Sequence, residues 1–454
     1  MKRAAPKRGF ISPDRNQISL LPGSVEEYLS NKHIARYVVE IVEKLDFTKV
    51  YKKYGTSGST PYDPRMLMAA LFYGYASGIF SSRKLEAATF DSLPMRFICA
   101  NLNPDHDTFA AFRKNFLPEI EGFFVEILLI AKHLGFVKVG SVNIDGTKMQ
   151  ADASKHSAMS HEYMERLEKQ FKEEVKRLTK MAQEADDKDA SELDIPAEIE
   201  RREDRLAAIK TAMEALKERA KQRFEKEKAE HDEKMRAREE KERETGKKAR
   251  GKAPQAPQEG VRPGDQYNFT DPESRIMKTP DGFDQGYNAQ AAATEDMFIV
   301  GAYVTDHCND TQEMVPMLES ISPSLGKVVT AAADTGYFSA GNVERVTDMQ
   351  VAPYIAVGRQ AHNQWLDQKL SKEQPSQTTQ QGTPREQMGQ KLKTPEGKEI
   401  YGKRKMTVEP VFGIIKEVMG FRQFSLRGKE AANGEWILVC LAYNLKRLFK
   451  LTNG

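Results

Sequence analysis

The amino-acid sequence predicts an α/β protein, in which a mixed sheet follows a helical N-terminal domain and carries a long helical hairpin after its first strand. Three observations predict this class. Apolar residues recur at helical spacing over residues 24–135. Short runs of β-branched and small apolar residues, typical of strands, occur at 136–145 and again after residue 280. Between them, residues 159–250 are mainly Glu, Lys, Arg, Ala and Met, as in long exposed helices.

These patterns divide the 454 residues into predicted regions. They are a basic arm at 1–22, a helical domain at 23–135, an α/β domain formed by 136–156 and 265–454, a helical coiled-coil insertion with its linker at 157–264, and a polar insertion at 359–400 that is either flexible or a loop that orders on a partner.

The composition excludes several classes of protein. No run approaches the ~18 apolar residues that a membrane span requires, and no apolar segment follows the basic N-terminus as it does in a secretory signal. The three cysteines, Cys99, Cys308 and Cys440, are too far apart for a disulfide scaffold or a cysteine-cluster zinc site. We therefore expect a cytoplasmic protein without a membrane partner.

The charges are unevenly distributed, although the net charge is only +3. Residues 1–60 carry 11 Lys and Arg against 6 Asp and Glu, and residues 401–454 carry 10 against 4. Residues 161–250 carry 25 against 26 and are almost neutral. Basic ends around a neutral middle are compatible with a polyanionic partner such as nucleic acid.

Capping residues predict where the N-terminal helices begin. Ser24 precedes Glu26 and Glu27, which suit a first turn, and Asp63 precedes Pro64, which suits the first helical position. Further helices are predicted at 33–46, 81–94 and 105–116. Such a run of short helices is compatible with a helix-turn-helix DNA reader and equally with a plain bundle that packs on the next domain.

The inserted segment has apolar residues at helical spacing on both sides of a break at 186–196. The pattern predicts two long helices in an antiparallel hairpin, followed by a Gly/Pro/Lys linker at 245–265. One interpretation is a solvated coiled coil without chemistry. The other is an arm that dimerises the protein or embraces DNA.

The chain after the insertion alternates strands with helices. Strands are predicted at 286–293, 297–305, 327–333 and 352–357, and helices at about 310–320, 339–349, 405–419 and 430–450. Together with the strand at 136–145, this is the element order of a ribonuclease-H-type mixed sheet. The first and fourth strands are neighbours in that sheet.

Three acidic residues stand out by their position in this order. Asp145 ends the first strand, Asp334 ends the fourth, and Glu409 lies on the helix after the last strand. Carboxylates that converge at one sheet edge repel each other unless metal ions neutralise them, and hard oxygen ligands suit Mg²⁺ or Mn²⁺. Two ions roughly 3.5–4 Å apart could support in-line phosphoryl transfer. This chemistry cuts or joins nucleic-acid strands.

Two other polar groups are weaker candidates. Asn288 and Gln290 alternate on a strand and share a face, which suggests either ordinary sheet-surface polarity or, less simply, contact with DNA. His307 and Cys308 stand beside acidic residues at a strand end, where a turn is a better interpretation than a metal site.

Four stretches then reveal a resemblance to a known family. They are NIDGTKMQADASK (143–155), DQGYNAQAA (284–292), AADTGYFSAGN (332–342) and YGKRKMTVEPVFGIIK (401–416). The chain resembles bacterial insertion-sequence transposases of the DDE class, in the branch that carries a YREK signature. The resemblance implies a helical N-terminal DNA-binding domain, a ribonuclease-H-like catalytic domain, and Asp145, Asp334 and Glu409 as metal ligands.

The signature also implies DNA contacts on the helix that carries Glu409. Tyr401 and Arg404 have the family spacing, as do Glu409 and Lys416, but the middle gap is one residue longer than in the family. Either Arg404 or Lys405 could therefore fill the arginine position. Lys405, Glu409 and Lys416 are four and seven residues apart, which predicts one helical face. Tyr401, Arg404, Lys405 and Lys416 are the expected phosphate contacts.

The resemblance implies metal-dependent cleavage at the ends of a mobile element, followed by attack of the freed 3′-hydroxyl on target DNA. The expected cofactor is Mg²⁺, with Mn²⁺ as a substitute and two ions bound. The expected partners are the terminal inverted repeats, the target duplex and further copies of the chain in a dimer or higher multimer, at the bacterial nucleoid. A domesticated DNA-binding regulator without catalysis is the alternative. A purely structural coiled-coil protein would leave residues 280–420 unexplained.

Overall fold

The computed structural model describes residues 24–54, 60–185, 195–245, 253–279, 282–358 and 382–453, so the predicted arm at 1–22 lies outside it. Within residues 24–135 the described chain is helical. The helices are α1 (Val25–Tyr28), α2 (Ile34–Lys44), α3 (Thr48–Lys52), α4 (Pro64–Ala76), α5 (Ser82–Asp91), α6 (Leu93–Ile98), α7 (His106–Asn115) and α8 (Leu117–His133).

Side-chain caps start these helices where the sequence predicts. The Ser24 side chain accepts a hydrogen bond from the Glu26 N–H, and the Asp63 side chain accepts one from the Arg65 N–H directly before Pro64 opens α4. Asp105 caps α7 in the same way through the Thr108 N–H. The predicted starts of all three helices are confirmed.

The predicted mixed sheet is also confirmed. The strands of this sheet are β1 (Ser141–Gln150), β4 (Arg275–Thr279), β5 (Gly282–Thr294), β6 (Ile299–Thr305), β7 (Thr330–Ala333) and β8 (Ala352–Ile355), while β2 (Ala158–Ser160) and β3 (Gln266–Asn268) form a separate ribbon. The central strand β1 pairs antiparallel with β5 on one side and parallel with β7 on the other, and β7 pairs parallel with β8. Strand β5 also pairs antiparallel with β4 and β6.

The first strand differs from its prediction at both ends. It begins at Ser141 and continues beyond Asp145 to Gln150. The long strand β5 supplies antiparallel partners along this whole length, whereas the parallel pairing with β7 stops at Ile144. Asp145 therefore lies at the end of the parallel pairing but inside the strand.

The predicted hairpin of two long helices is confirmed by α9 (His161–Ala185) and α10 (Ile195–Thr245), which pack against each other. A small core separate from the main one holds them, formed by Met164, Ile209, Ala212 and Leu216. Most of the predicted break, residues 186–194, lies outside the described residues, as do residues 246–252 of the linker. The rest of the linker returns along α10 through an Arg262–Glu227 ion pair.

The prediction of a flexible insertion over 359–400 is wrong for its described C-terminal part, while residues 359–381 lie outside the described residues. Helix α13 (Pro384–Lys391) starts with a capping box between Thr383 and Glu386. Helix α14 (Pro395–Gly413) starts at a Thr394 cap and runs into a π-helical turn, Ile414–Val418. The polar composition hid these local start signals, and α14 begins ten residues before its predicted start.

The short helices α11 (Met314–Glu319) and α12 (Ala340–Asp348) lie between the later strands, and α15 (Lys429–Asn453) closes the chain. Helix α15 packs on α4 and α8 and also on β6, so the N-terminal helices and the sheet share one apolar core. Its Trp436 donates a hydrogen bond to the Gln290 carbonyl at 2.9 Å. In the described part of the chain, no helix is long and apolar enough to cross a membrane.

Candidate active site

The carboxylates of Asp145 and Asp334 lie side by side at one edge of the sheet. Ile144 of β1 pairs with Ala333 of the parallel strand β7, so the next residue on each strand is an aspartate. Asp145 Oδ1 accepts the Gly146 N–H at 3.0 Å, and Asp334 Oδ1 accepts the Gly336 N–H at 2.8 Å. The predicted adjacency of the two strands thus brings two of the three candidate acids together.

Helix α14 brings Arg404 and Glu409 to the same edge. Arg404 Nη2 lies 2.8 Å from Asp145 Oδ2, and Arg404 Nη1 lies 3.1 Å from Glu409 Oε1. Arg404 is only 6% exposed, whereas 47% of the Glu409 side chain is exposed. The guanidinium therefore sits between two candidate acids. Of the two residues that could fill the arginine position, Arg404 lies at the acids and Lys405 points into a neighbouring groove.

Burial dominates the electrostatics of this edge. It raises the pKa of Asp145 to about 6, although Arg404 favours the ionised carboxylate, and the nearby Asp334 raises that pKa further. Burial also raises the pKa of Tyr401, which lies close enough to Arg404, Asp334 and Glu409 to feel their charges. The ionised form of Asp145 is thus disfavoured in the fold even with Arg404 beside it.

Lys416 contacts the same strand as Asp145. Its Nζ donates hydrogen bonds to Thr147 Oγ1 at 2.5 Å and to the Lys148 carbonyl at 3.2 Å, both on β1. Burial lowers the pKa of this lysine. Lys405 lies eleven residues earlier, at the groove beside the end of β8. The two lysines therefore meet different strands of the sheet, and their predicted common face with Glu409 stays a prediction.

A fourth carboxylate, Asp310, lies in the same cluster. Asp310 Oδ1 accepts amide hydrogens from Asn288 at 2.6 Å and from Gln290 at 2.7 Å, and Lys148 Nζ lies 3.6 Å away. Asp310, Asp145 and Asp334 all contribute, after burial, to the raised pKa of the buried Tyr337. In the sequence, Asp310 stands at the start of the helix predicted at about 310–320, and no local pattern marks it as part of a site, because its partners come from distant strands.

The strand β5 residues that hold Asp310 correct a further expectation. Asn288 and Gln290 do share a face, but both are 0% exposed, so they are neither surface polarity nor a DNA-facing pair. Gly146 makes room for them, since a Cβ there would lie 2.2 Å from Gln290 Nε2 and 2.7 Å from Asp310 Oδ1. Any side chain at position 146 would therefore push Asp310 and its amide partners apart.

The second weak candidate, around His307, forms ordinary local contacts. His307 Nδ1 lies 2.5 Å from Glu313 Oε1, and Cys308 Sγ donates to the Ile276 carbonyl at 3.7 Å. These contacts agree with the preferred interpretation of a turn.

Whether the acids fit a metal can be judged from their oxygens. No three His, Cys, Asp or Glu side chains within the described ranges are arranged to hold an ion, because Arg404 separates Glu409 from Asp145. The donor set nevertheless consists of carboxylate oxygens, the ligands that Mg²⁺ prefers. Asp145 and Asp334 already converge. Glu409 is half exposed, and its one described partner is Arg404.

Two regions of the chain match known protein families. Residues 261–445 match the family described as "Transposase DDE domain", and residues 23–115 match the one described as "Transposase domain (DUF772)". No curated protein and no solved structure shows a significant match. The two family matches support a DDE-type transposase, with the DNA binding, divalent-metal use and insertion-sequence association that these families imply.

Proposed function

We propose that the protein is an active DDE transposase, which cleaves DNA at the ends of its element and transfers the freed 3′-hydroxyl into a target strand. The observation that carries this proposal is the convergence of Asp145, Asp334 and the Arg404–Glu409 pair at one sheet edge. Asp145, Asp334 and Glu409 are its metal ligands in this account.

We further propose that the sheet is of the ribonuclease-H type and that the chain belongs to the YREK branch. In support, β6, β5 and β1 form an antiparallel set that continues into the parallel strands β7 and β8. Tyr401, Arg404, Glu409 and Lys416 provide the four signature residues. Arg404 is the better candidate for the arginine, since it contacts two of the acids.

The proposed cofactor is a pair of Mg²⁺ ions, with Mn²⁺ as a substitute. When bound, such ions neutralise the carboxylates, lower the pKa of a water molecule and stabilise the leaving oxygen. Tyr401, Arg404 and Lys416 then position the phosphates at the scissile bond, and Lys405 contacts the backbone beside it. Contacts of this kind fix the register of the DNA without reading its sequence.

The other regions of the chain have roles in binding and pairing the two DNA ends of the element. The N-terminal helices (23–135) recognise the terminal inverted repeats, and the α/β domain (136–156 and 265–454) performs catalysis at the nucleoid. Two copies or more assemble on the paired ends, and the α9–α10 hairpin is the candidate arm for that assembly. Its exposed, charge-rich helices agree with this role.

A cleavage assay tests the proposal. The substrate is a labelled duplex carrying the inverted repeat that flanks the coding sequence, incubated with Mg²⁺, Mn²⁺ or EDTA. We expect metal-dependent nicking at the repeat end by the wild type and at least about a 100-fold loss in Glu409→Gln, because even residues that only support a metal ligand contribute about 10–100-fold.

Glu417→Gln is the matched control, since Glu417 is an exposed glutamate eight residues further along, in the π-helical turn, and its ion pair in the described chain is with Arg422. It should nick like the wild type. Equal activity of Glu409→Gln and the wild type would remove Glu409 from the mechanism. Specific binding of the repeat without any cleavage would favour a regulator instead.

A further inference from the structure

A groove lies directly beside the candidate acids, between α13, α14 and the end of β8. It has a volume of about 1160 Å³. Thr335, which follows Asp334, and Tyr401, which lies one turn from Arg404, line the end nearest the acids. The groove therefore opens onto the place where the scissile phosphate would lie.

The groove is strongly basic. Lys393, Lys398 and Lys405 line it with exposed side chains, and none of them makes an ion pair or side-chain hydrogen bond with a described residue. Arg385 lines it too, but its guanidinium donates to the Val357 carbonyl. The carboxylate of the groove, Glu386, accepts the Thr383 N–H in the cap of α13. Three lysines thus remain available to an anionic ligand.

The face of α14 towards the groove is shaped for a chain-like ligand. Lys398, Gly402 and Lys405 follow each other at helical spacing on this face. A Cβ at Gly402 would meet nothing within 4 Å, so the space above this residue is open. Tyr401 adds an aromatic ring at the acid end, of the kind on which nucleobases stack.

The size of the groove selects one form of nucleic acid. Its volume is slightly above the range of small-ligand pockets, which is enough for a few nucleotides of one strand. A B-form duplex carries its phosphates on two strands across a major groove about 12 Å wide, whereas this groove offers three free lysines along and just before one helix. A ligand with several phosphates in a row, on a flexible backbone, suits both the spaced lysines and the volume.

We propose that this groove binds a short single-stranded stretch of DNA next to the scissile phosphate. The inference rests on the proposed function, because it assumes that DNA is cleaved at the adjacent acids. It adds a site on α13 and α14 that holds one strand after the duplex has opened, and it assigns Lys393 and Lys398 to that site.

Fluorescence anisotropy tests the groove independently of catalysis. The full-length protein is titrated in EDTA with a labelled five-nucleotide single strand over a range of salt concentrations. Lys393→Gln combined with Lys398→Gln should weaken binding and reduce the slope of log Kd against log salt by about 1.4, since each lost single-strand contact contributes about 0.7. Lys138→Gln, an exposed lysine near the opposite end of β1, is the matched control and should bind like the wild type.

A second pair of variants blocks the groove without removing charge. Gly402→Leu fills the open space above α14, whereas Gly402→Ala adds only a methyl group. We expect Gly402→Leu to lose single-strand binding and slow the cleavage of repeat ends at least tenfold, with no fall in melting temperature. Gly402→Ala should retain most of both activities.

The outcomes separate the groove from the proposed function. Wild-type binding and cleavage by the lysine pair and by Gly402→Leu would overturn the groove while leaving the transposase intact. A wild-type protein that binds the single strand through these residues but cleaves no DNA would overturn the proposed function, and the groove would then be a nucleic-acid site without cleavage. Failure of the wild type to bind the single strand would overturn the groove proposal directly.

Discussion

Two buried arginines, each beside a glutamate, behave differently in this molecule. Arg113 of α7 lies 3.9 Å from Glu435 of α15. Arg113 donates a hydrogen bond to the Tyr75 hydroxyl, and that hydroxyl donates one to Glu435, both at 2.8 Å. Glu435 also accepts the N–H groups of Ser425 and Leu426, at 2.8 and 3.1 Å, and it is 0% exposed. Every oxygen of this carboxylate is satisfied by the protein.

Arg404 lies in an open network instead. It divides its guanidinium between Asp145 and Glu409, and Glu409 has no other described partner. Asp334 accepts a single hydrogen bond from the Gly336 N–H. The comparison shows that burial of charge alone does not mark a functional site. The closed network of Arg113, Tyr75 and Glu435 joins the N-terminal helices to the rest of the core. The open network of Arg404, Asp145 and Glu409 leaves carboxylate oxygens available for a ligand.

The largest effect on stability should follow from breaking the closed network. Glu435→Leu leaves Arg113 as an uncompensated buried charge and removes the partner of two backbone N–H groups. The free energy of unfolding should fall by about 3–5 kcal/mol, measured by denaturant titration. Glu417→Leu, at an exposed pair, should stay within about 0.5 kcal/mol of the wild type. Equal stability of Glu435→Leu and the wild type would contradict the closed network.

Removing a carboxylate from the open network should instead raise the free energy of unfolding. The pKa of Asp145 in the fold, about 6, lies above its ordinary value of 3.8. The ionised carboxylate is thus disfavoured by folding, and stability is lost as the pH rises from about 4 to about 6. In EDTA, Asp145→Asn should be more stable than the wild type by roughly 3 kcal/mol at pH 7, with no difference below about pH 4. A difference that does not change with pH would contradict this account.

Two variants distinguish Arg404 from Lys405 as the residue at the arginine position of the signature. Arg404→Gln removes a charged hydrogen-bond partner from Asp145 and should lower the free energy of unfolding by about 1.5–3 kcal/mol. Lys405→Gln alters an exposed side chain that has no ion pair with a described residue, and it should change the free energy of unfolding by less than about 0.5 kcal/mol. The two variants are compared by denaturant titration in EDTA. Equal stability of both would mean that Arg404 is not part of the network.

The smallest expected effect lies on the groove face of the same helix. Gly402→Ala replaces a helix-interior glycine where an added Cβ has open space, so it should raise the free energy of unfolding by roughly 0.5–1 kcal/mol. The measurement is again a denaturant titration. A loss of stability would show that position 402 is packed rather than open.

Local sequence signals were sufficient for part of this picture. Apolar runs that end on Asp145 and Asp334 predict their strands, and Asp63 followed by Pro64 predicts the start of α4. The start of α13 was equally readable from Thr383 and Glu386, but the polar composition around it pointed to a flexible insertion instead. The polar composition gave the wrong prediction here because a helix cap formed by neighbouring residues determines the local structure.

The rest depends on contacts between distant parts of the chain. Asp310 is fixed by β5 side chains and lies near Lys148 of β1, which no local pattern around Asp310 indicates. The position of Arg404 beside Asp145, like that of Glu435 beside Arg113, follows only from the packing of C-terminal helices on earlier elements. Sequence periodicity predicts which face a residue occupies but not which charge it meets.

The most direct test of the account replaces a proposed metal ligand by a softer one. Asp334→Cys is assayed for nicking of the repeat end in Mg²⁺ and in Mn²⁺, with Asp152→Cys, at an exposed pair with Arg427, as the control. Because thiolate is a poor ligand for Mg²⁺ and a better one for softer ions, Asp334→Cys should be inactive in Mg²⁺ and partly active in Mn²⁺. Wild-type nicking by Asp334→Cys in Mg²⁺ would contradict the claim that the open network is a metal-dependent active site.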